Sequence, residues 1–408
     1  MGKRIIGGYF MKRKRFLAAA VAATMLLGLA GCSSSSNSSG NGGTQEQANT
    51  EDSGDTIKIG YVSALSGDTA LWGQAGLNGM NLTVKDINEA GGVLGKQVEV
   101  IGLDGKGEPA DSVSAYRKLV DDYGVCAVVG TNFSSCNIPM AAVADEKQVP
   151  VIATAASNEL VTVDENGNLH PYSFRLCFID SYQGTVAGKY AAAELGFKKG
   201  AILTDVSDAY STGVGKYMVE AFEANGGEMV AQEEAQSGDN DFRAQLTKIA
   251  AAEPDVLFVP WIYQNVALIS KQARELGLNC VIFGADGWDS LELADLAGGA
   301  LEGCYYVSRI GFHSPDAAAY GERYVAEYNI DLEAECLYGN DGLLWIIDAI
   351  ERAGSADPTA IRDALESTDT FDGLLGSMTM DAATHNPIRE VAVFRCDNGV
   401  FDYVETYQ

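Results

Sequence analysis

The chain has 408 residues, 56 acidic against 28 basic, for a formal net charge of -28 at pH 7. That balance excludes a nucleic-acid binder, which needs clustered Lys and Arg, and suits a soluble surface facing solvent. With 47% hydrophobic residues the chain can bury a substantial core, and its length suits two lobes better than one.

The N-terminus reads as an export signal. Lys12, Arg13, Lys14 and Arg15 precede an apolar run over residues 16–29, and Leu29-Ala30-Gly31-Cys32 follows. A basic start, a short apolar core and small residues before a cut mark a signal peptide over residues 1–31. The run is shorter than the roughly 20 residues a spanning helix needs. The tetrapeptide resembles a bacterial lipobox, which implies cleavage before Cys32 and acylation of its sulfur; an ordinary secretory signal with an incidental cysteine is the alternative. Met11 opens a complete signal by itself, so residues 1–10 read as an upstream mis-start. Residues 32–55 are Ser, Asn, Gly, Thr, Gln and acid with little to bury, and read as a flexible linker. The folded part is therefore expected outside the cytoplasm, held to the outer face of the membrane by lipid only. Seven of the eight cysteines remain after Cys32. Apolar neighbours around Cys126 and Cys280 favour buried free thiols, although export permits a disulfide.

The body alternates strand and helix patterns. Residues 57–62 alternate like a strand; Leu77, Met80, Val84 and Ile87 recur at helical spacing until Gly91-Gly92. A strand over 98–103 and a helix marked by Val113, Tyr116, Leu119 and Val120 follow, then short buried strands at 126–129 and 149–153. The cycle restarts after Gln183 with a strand at 201–204 and a helix over 212–225. Strands near Met229, 255–259 and 281–284 alternate with helices at 242–251, 265–276 and 290–296. Three helices fill most of 317–365, and a strand pair at 391–394 and 400–404 turns at Asp397-Asn398-Gly399. The pattern predicts an α/β chain of two doubly wound parallel-sheet lobes.

Catalytic signatures are missing. His170, His313 and His385 form no His-x-x-x-His pair, Gly-x-Ser-x-Gly is absent, and no metal-ligand cluster stands out. The run from Gly91 to Gln97 mimics a phosphate loop, but its glycine spacing is one short and it follows a helix rather than a strand. Asp104 and Asp205 are lone carboxylates after strands, placed to cap or line a cleft. Neither an enzyme, a metal nor a cofactor is expected.

Open α/β sheets bind ligands beyond the carboxyl ends of their strands. Gly130-Thr131-Asn132-Phe133-Ser134-Ser135 follows one strand and opens a helix, where hydroxyls and free N–H groups suit a carboxylate; plain capping by Ser135 is the alternative. Ala153-Thr154-Ala155-Ala156-Ser157 offers carbonyls and hydroxyls to an ammonium, unless it is a loop without a ligand. Gly284-Ala285-Asp286-Gly287-Trp288 offers a carboxylate, unless Asp286 only serves a turn. Trp72, Tyr210, Trp261, Tyr263 and Trp288 stand near strand ends and could wall an apolar pocket.

Four segments carry a resemblance: 59–67 (Ile-Gly-Tyr-Val-Ser-Ala-Leu-Ser-Gly), 86–95, Phe174-Arg175 with Asp180 and Gln183-Gly184, and 272–277. Together they resemble type I periplasmic binding proteins of the leucine/isoleucine/valine-binding family, in order over residues 56–408. The resemblance implies two lobes joined by a three-strand hinge, crossed near Asp180, Ser308 and Thr379. The first lobe would hold 56–180 and 309–378, and the second 181–308 and 379–408. It implies capture of an amino acid, branched-chain or other apolar or aromatic, by a monomer serving an ABC permease. Ser134 and Ser135 match its carboxylate site; the Ala155 carbonyl and the Ser157 hydroxyl match its ammonium acceptors, with Ala156 between them in the expected ligand-binding set. Asp286 stands where branched-chain binders carry Glu, and Trp72, Tyr210 and Tyr263 match side-chain positions. The shorter Asp286, Ser157 in place of Thr, and the bulk of Trp261 and Trp288 are departures. An amide, urea or aromatic ligand, a sensory role, or an exported hydrolase are the alternatives.

Overall fold

The computed structural model describes residues 56–290, 292–309, 311, 314–330 and 332–407. The signal, the linker, Cys32 and the candidate start at Met11 lie outside the described residues, as does His313.

The first lobe starts with β1 (Thr56–Ser63), whose buried Ile59, Tyr61 and Val62 hold it mid-sheet. Helix α1 (Ala70–Glu89), β2 (Gln97–Asp104) and α2 (Pro109–Asp121) follow, then β3 (Ala127–Val129), α3 (Ser134–Lys147), β4 (Val151–Ala153) and β5 (Ser173–Arg175). The strand order is β2-β1-β3-β4-β5, with parallel pairing from β1 through β5. Helix α4 (Asp180–Ala193) leads into the second sheet, built on β6 (Lys199–Asp205), α5 (Ala209–Ala224), β7 (Glu228–Ala235) and α6 (Arg243–Ala251). It continues through β8 (Val256–Phe258), α7 (Tyr263–Glu275), β9 (Val281–Gly284), α8 (Leu293–Ala297) and β10 (Tyr305–Ser308). Buried apolar triplets such as Val256–Phe258 mark strands covered on both faces.

The chain then returns to the first lobe with α9 (Pro315–Tyr328), α10 (Glu335–Ala353) and α11 (Pro358–Glu366). Glycines let α10 lie against α1 at backbone distance. A Cβ on Gly79 would strike the Cys336 carbonyl, and one on Gly339 would strike that of Gly76. This contact brings the start of α10 close to Trp72 on α1. Strands β11 (Phe371–Gly373), β12 (Gly376–Asp381) and β13 (Asn386–Ile388) form a small antiparallel sheet that sequence periodicity did not reveal. Finally β14 (Val391–Asp397) and β15 (Val400–Tyr407) add antiparallel strands to the second sheet, giving the order β15-β14-β10-β9-β8-β6-β7.

The expected third crossing near Thr379 needs correction. The small sheet is tied to the first lobe: His385 stacks on Phe174 at 4.0 Å and its Nδ1 lies 2.9 Å from the Ser173 carbonyl. The Asp341 carboxylate also accepts from the amides of Leu374 and Leu375, both at 2.8 Å. The chain enters the second sheet only after Ile388. The seven cysteines among the described residues are free thiols, six of them buried. No helix among the described residues is long and apolar enough to cross a membrane.

Candidate functional site

The carboxyl ends of β3, β4, β6, β9 and β10 converge on one cleft. Trp72, Asn132, Phe133, Ser134, Ala155 and Glu335 line it from the first lobe. Asp208, Tyr210, Ile262, Asp286, Gly287, Asp289 and Arg309 line it from the second. The lobes also touch beside it: Trp72 packs on Tyr263 at 4.9 Å, and Asn158 Nδ2 donates to the Ala209 carbonyl at 2.9 Å. Ser290 Oγ donates to Glu333 Oε1 at 2.9 Å.

The first wall offers neutral donors. Helix α3 begins after Phe133 with no side-chain cap, so Ser135 is not the cap. The Ser134 hydroxyl accepts from the Asn158 amide at 3.2 Å, which leaves its own proton to donate. Asn132 Nδ2 is buried without a partner. An uncapped helix start beside a hydroxyl and an amide has the donor chemistry that suits an anionic oxygen.

The second wall carries charge. Asp286 begins a 3-10 turn after β9, is 7% exposed, and its Oδ2 has no hydrogen-bond partner. Burial raises its pKa to about 6, with Arg309 acting in the opposite sense. Tyr210 Oη accepts from the Gly287 amide at 2.8 Å and fixes this turn. Arg309 pairs with Asp289 at 3.0 Å and lies 4.0 Å over the Tyr338 ring. Asp208 caps α5 by accepting from the Tyr210 amide at 3.3 Å. Burial raises the Glu335 carboxyl to about 8, against the pull of Arg309.

Of the sequence-predicted residues, Trp72, Ser134, Ala155, Tyr210 and Asp286 line the cleft. Ser135, Ala156, Ser157 and Tyr263 are not among its lining residues. The Ala156 carbonyl is occupied: Arg175, fully buried on β5, donates to it at 3.0 Å and to the Asn158 carbonyl at 2.8 Å. Ser157 is 0% exposed and its hydroxyl sits against the buried carboxyl of Asp180. Tyr263 does not line the cleft but packs on Trp72, which does. Trp261 and Trp288 are core residues, not pocket walls; their indole N–H groups donate to the carbonyls of Leu203 and Val259 at 2.8 and 2.9 Å. Asp208, Ile262, Asp289, Arg309 and Glu335 were missed, and Asn132 was named only as part of its segment. The first four follow strand ends, where the same rule would have found them; Glu335 looks in sequence like an ordinary acid at a helix start.

Residues 56–400 match the family model described as periplasmic binding protein. The Leu/Ile/Val-binding protein BraC3 of Rhizobium johnstonii is 31% identical over 328 residues, covering 79% of this chain and 87% of that one. The chain belongs to the periplasmic binding protein family. Two solved structures extend the match. One is a leucine-binding protein, LivK, from Thermotoga maritima, with 31% identity and a TM-score of 0.79 over 86% of this chain and 98% of that one. The other is the branched-chain amino acid transporter substrate-binding protein LivJ from Streptococcus pneumoniae, in complex with isoleucine. Its identity is 32% and its TM-score 0.79, over 86% of this chain and 99% of that one. Members of this periplasmic binding protein family bind solutes outside the cytoplasm, and two lobes around a lined cleft are the form this chain gives to that task.

Proposed function

We propose that the protein is an extracytoplasmic lipoprotein that captures an α-amino acid between its lobes and delivers it to an ABC permease. One observation carries the amino-acid reading. Ser134, Asn132 and the start of α3 line one wall of a single cleft with neutral donors, and Asp286 lines the other with a buried carboxyl. A ligand with a negative and a positive end satisfies both walls at once. The Leu/Ile/Val-binding relative and the isoleucine-bound neighbour support the same ligand class.

The ligand docks on the first lobe by its carboxylate, and the second lobe brings Asp286 onto the ammonium, with Tyr210 bracing the turn that carries it. Closure is a population shift, driven by contacts that exist only when both lobes touch the ligand. Cys32 carries the anchor, and capture proceeds without chemical turnover. Mass spectrometry of ligand released from purified protein, with a thermal-shift panel of amino acids, tests the reading. A cognate ligand at about a thousandfold excess over Kd stabilises the protein by about 4 kcal/mol. A flat response to amino acids beside a shift with a sugar or purine would remove it.

A further inference from the structure

The chain has four tryptophans, all of them buried. A buried indole N–H ordinarily finds an acceptor, and three of the four do so. Trp261 donates to the Leu203 carbonyl at 2.8 Å, Trp288 to the Val259 carbonyl at 2.9 Å, and Trp345 to the Thr368 hydroxyl at 3.0 Å. Trp72 is the exception. It is 5% exposed, its Nε1 is buried without a partner among the described residues, and it is the one tryptophan that lines the cleft. A donor shut away from water without an acceptor is costly. The tryptophan left with that cost is the one that stands where a captured ligand would lie.

The part of the ligand it meets follows from the rest of the lining. On the amino-acid reading, Ser134, Asn132 and the start of α3 take the carboxylate and Asp286 takes the ammonium. Trp72 comes from another element, α1, and its ring packs on Phe133 at 6.3 Å and on Tyr263 at 4.9 Å. Phe133 and Ile262, the chain neighbour of Tyr263, also line the cleft. These apolar groups remain to hold a side chain, and Trp72 Nε1 is the polar atom among them. A wholly apolar side chain packs on the ring but leaves the N–H unpaired, whereas one that carries an oxygen satisfies it. A side-chain carboxylate would meet Asp286 and Asp289 in the same cleft, so the fitting oxygen is a neutral one.

We infer that Trp72 donates its indole N–H to a neutral oxygen on the ligand's side chain, so that the captured amino acid carries a hydroxyl or a carboxamide there. The inference rests on the amino-acid reading above and asks for an atom that leucine and isoleucine lack.

Two isosteric pairs test it: L-threonine against L-valine, and L-asparagine against L-leucine. Within each pair the shapes nearly coincide and one member alone has the side-chain oxygen. In isothermal titration of the full exported protein, the oxygen-bearing member of at least one pair should bind roughly tenfold tighter than its partner, the ratio that a buried donor left unpaired is worth. Trp72→Phe keeps a ring but removes the N–H, and should erase that ratio whatever it does to both affinities. Valine and leucine binding as tightly as their partners overturns the inference and leaves the amino-acid reading standing. A ratio that survives Trp72→Phe overturns it too. If none of the four binds, the inference falls, and the amino-acid reading falls with it only when every other amino acid is silent as well. The wild-type ratios stand without the variant, should the variant fail to fold.

Discussion

The two walls of the cleft are built from different materials. The first-lobe wall presents a hydroxyl, an amide and a helix start, held by a backbone that Arg175 pins through the carbonyls of Ala156 and Asn158. The second-lobe wall presents Asp208, Asp286, Asp289 and Arg309. Neutral dipoles can be aimed before a ligand arrives at less cost than a buried charge, which must give up its hydration. Asp286 shows that cost in a pKa raised by burial to about 6. The first wall should therefore set orientation, and the second should supply most of the affinity.

That division can be broken by substitution. The largest effect belongs to Asp286→Ala. Losing one partner of a buried charge pair costs about 3–5 kcal/mol, or roughly two to three and a half decades in Kd. An unchanged Kd by calorimetry would refute the ammonium assignment. Arg175→Met comes next, and its effect should fall on stability, not on the ligand directly. The Ala156 carbonyl, left buried without a donor, costs about 1–3 kcal/mol, read as a lower urea midpoint. A variant that bound weakly at wild-type stability would place Arg175 in the site after all. Ser134→Ala removes one neutral donor and should weaken binding by about 1–2 decades at most. A loss as large as that from Asp286→Ala would erase the difference between the walls.

The sequence disclosed the alternation of elements and the strand ends that matter, because buried parallel strands and amphipathic helices leave different periods. Ser134, Ala155, Tyr210 and Asp286 were legible for that reason. Ala156 does not line the cleft, because a strand-end loop reads the same whether its carbonyls face a ligand or a buried guanidinium. Only the approach of Arg175 from the neighbouring strand distinguishes the two. Trp261 and Trp288 misled in the same way, since an indole beside a strand end can turn into the core and find a carbonyl there. Glu335 needed the Gly79 and Gly339 contacts, which link segments far apart in sequence. The small sheet of β11 to β13 was missed because three-residue strands such as Phe371–Gly373 carry too little pattern.

The same contrast predicts two opposed pH effects. Glu333 is fully buried at the edge between the lobes, and burial raises its pKa from 4.5 to about 8, with Ser290 pulling the other way. Around it stand Ser290, Asp289, Glu292, Glu335, Tyr263 and Tyr324, all hydroxyls or acids. Glu335, facing Arg309, Asp289, Asp286 and Thr154, is raised to a similar value. In the folded state both keep protons that the unfolded chain gives up above its ordinary carboxylate range. Folding therefore binds protons between pH about 4.5 and about 8, and ligand-free stability must fall as pH rises through that window. Urea titrations at its two ends should show the fall, and Glu333→Gln should flatten it. Ligand affinity has the opposite sense at its acid limit. Asp286 must be ionised to hold an ammonium, so binding weakens as pH drops below about 6. A protein whose stability and affinity both rose with pH would contradict the buried, protonated state of Glu333 and Glu335, and with it the acidic character assigned to the space between the walls.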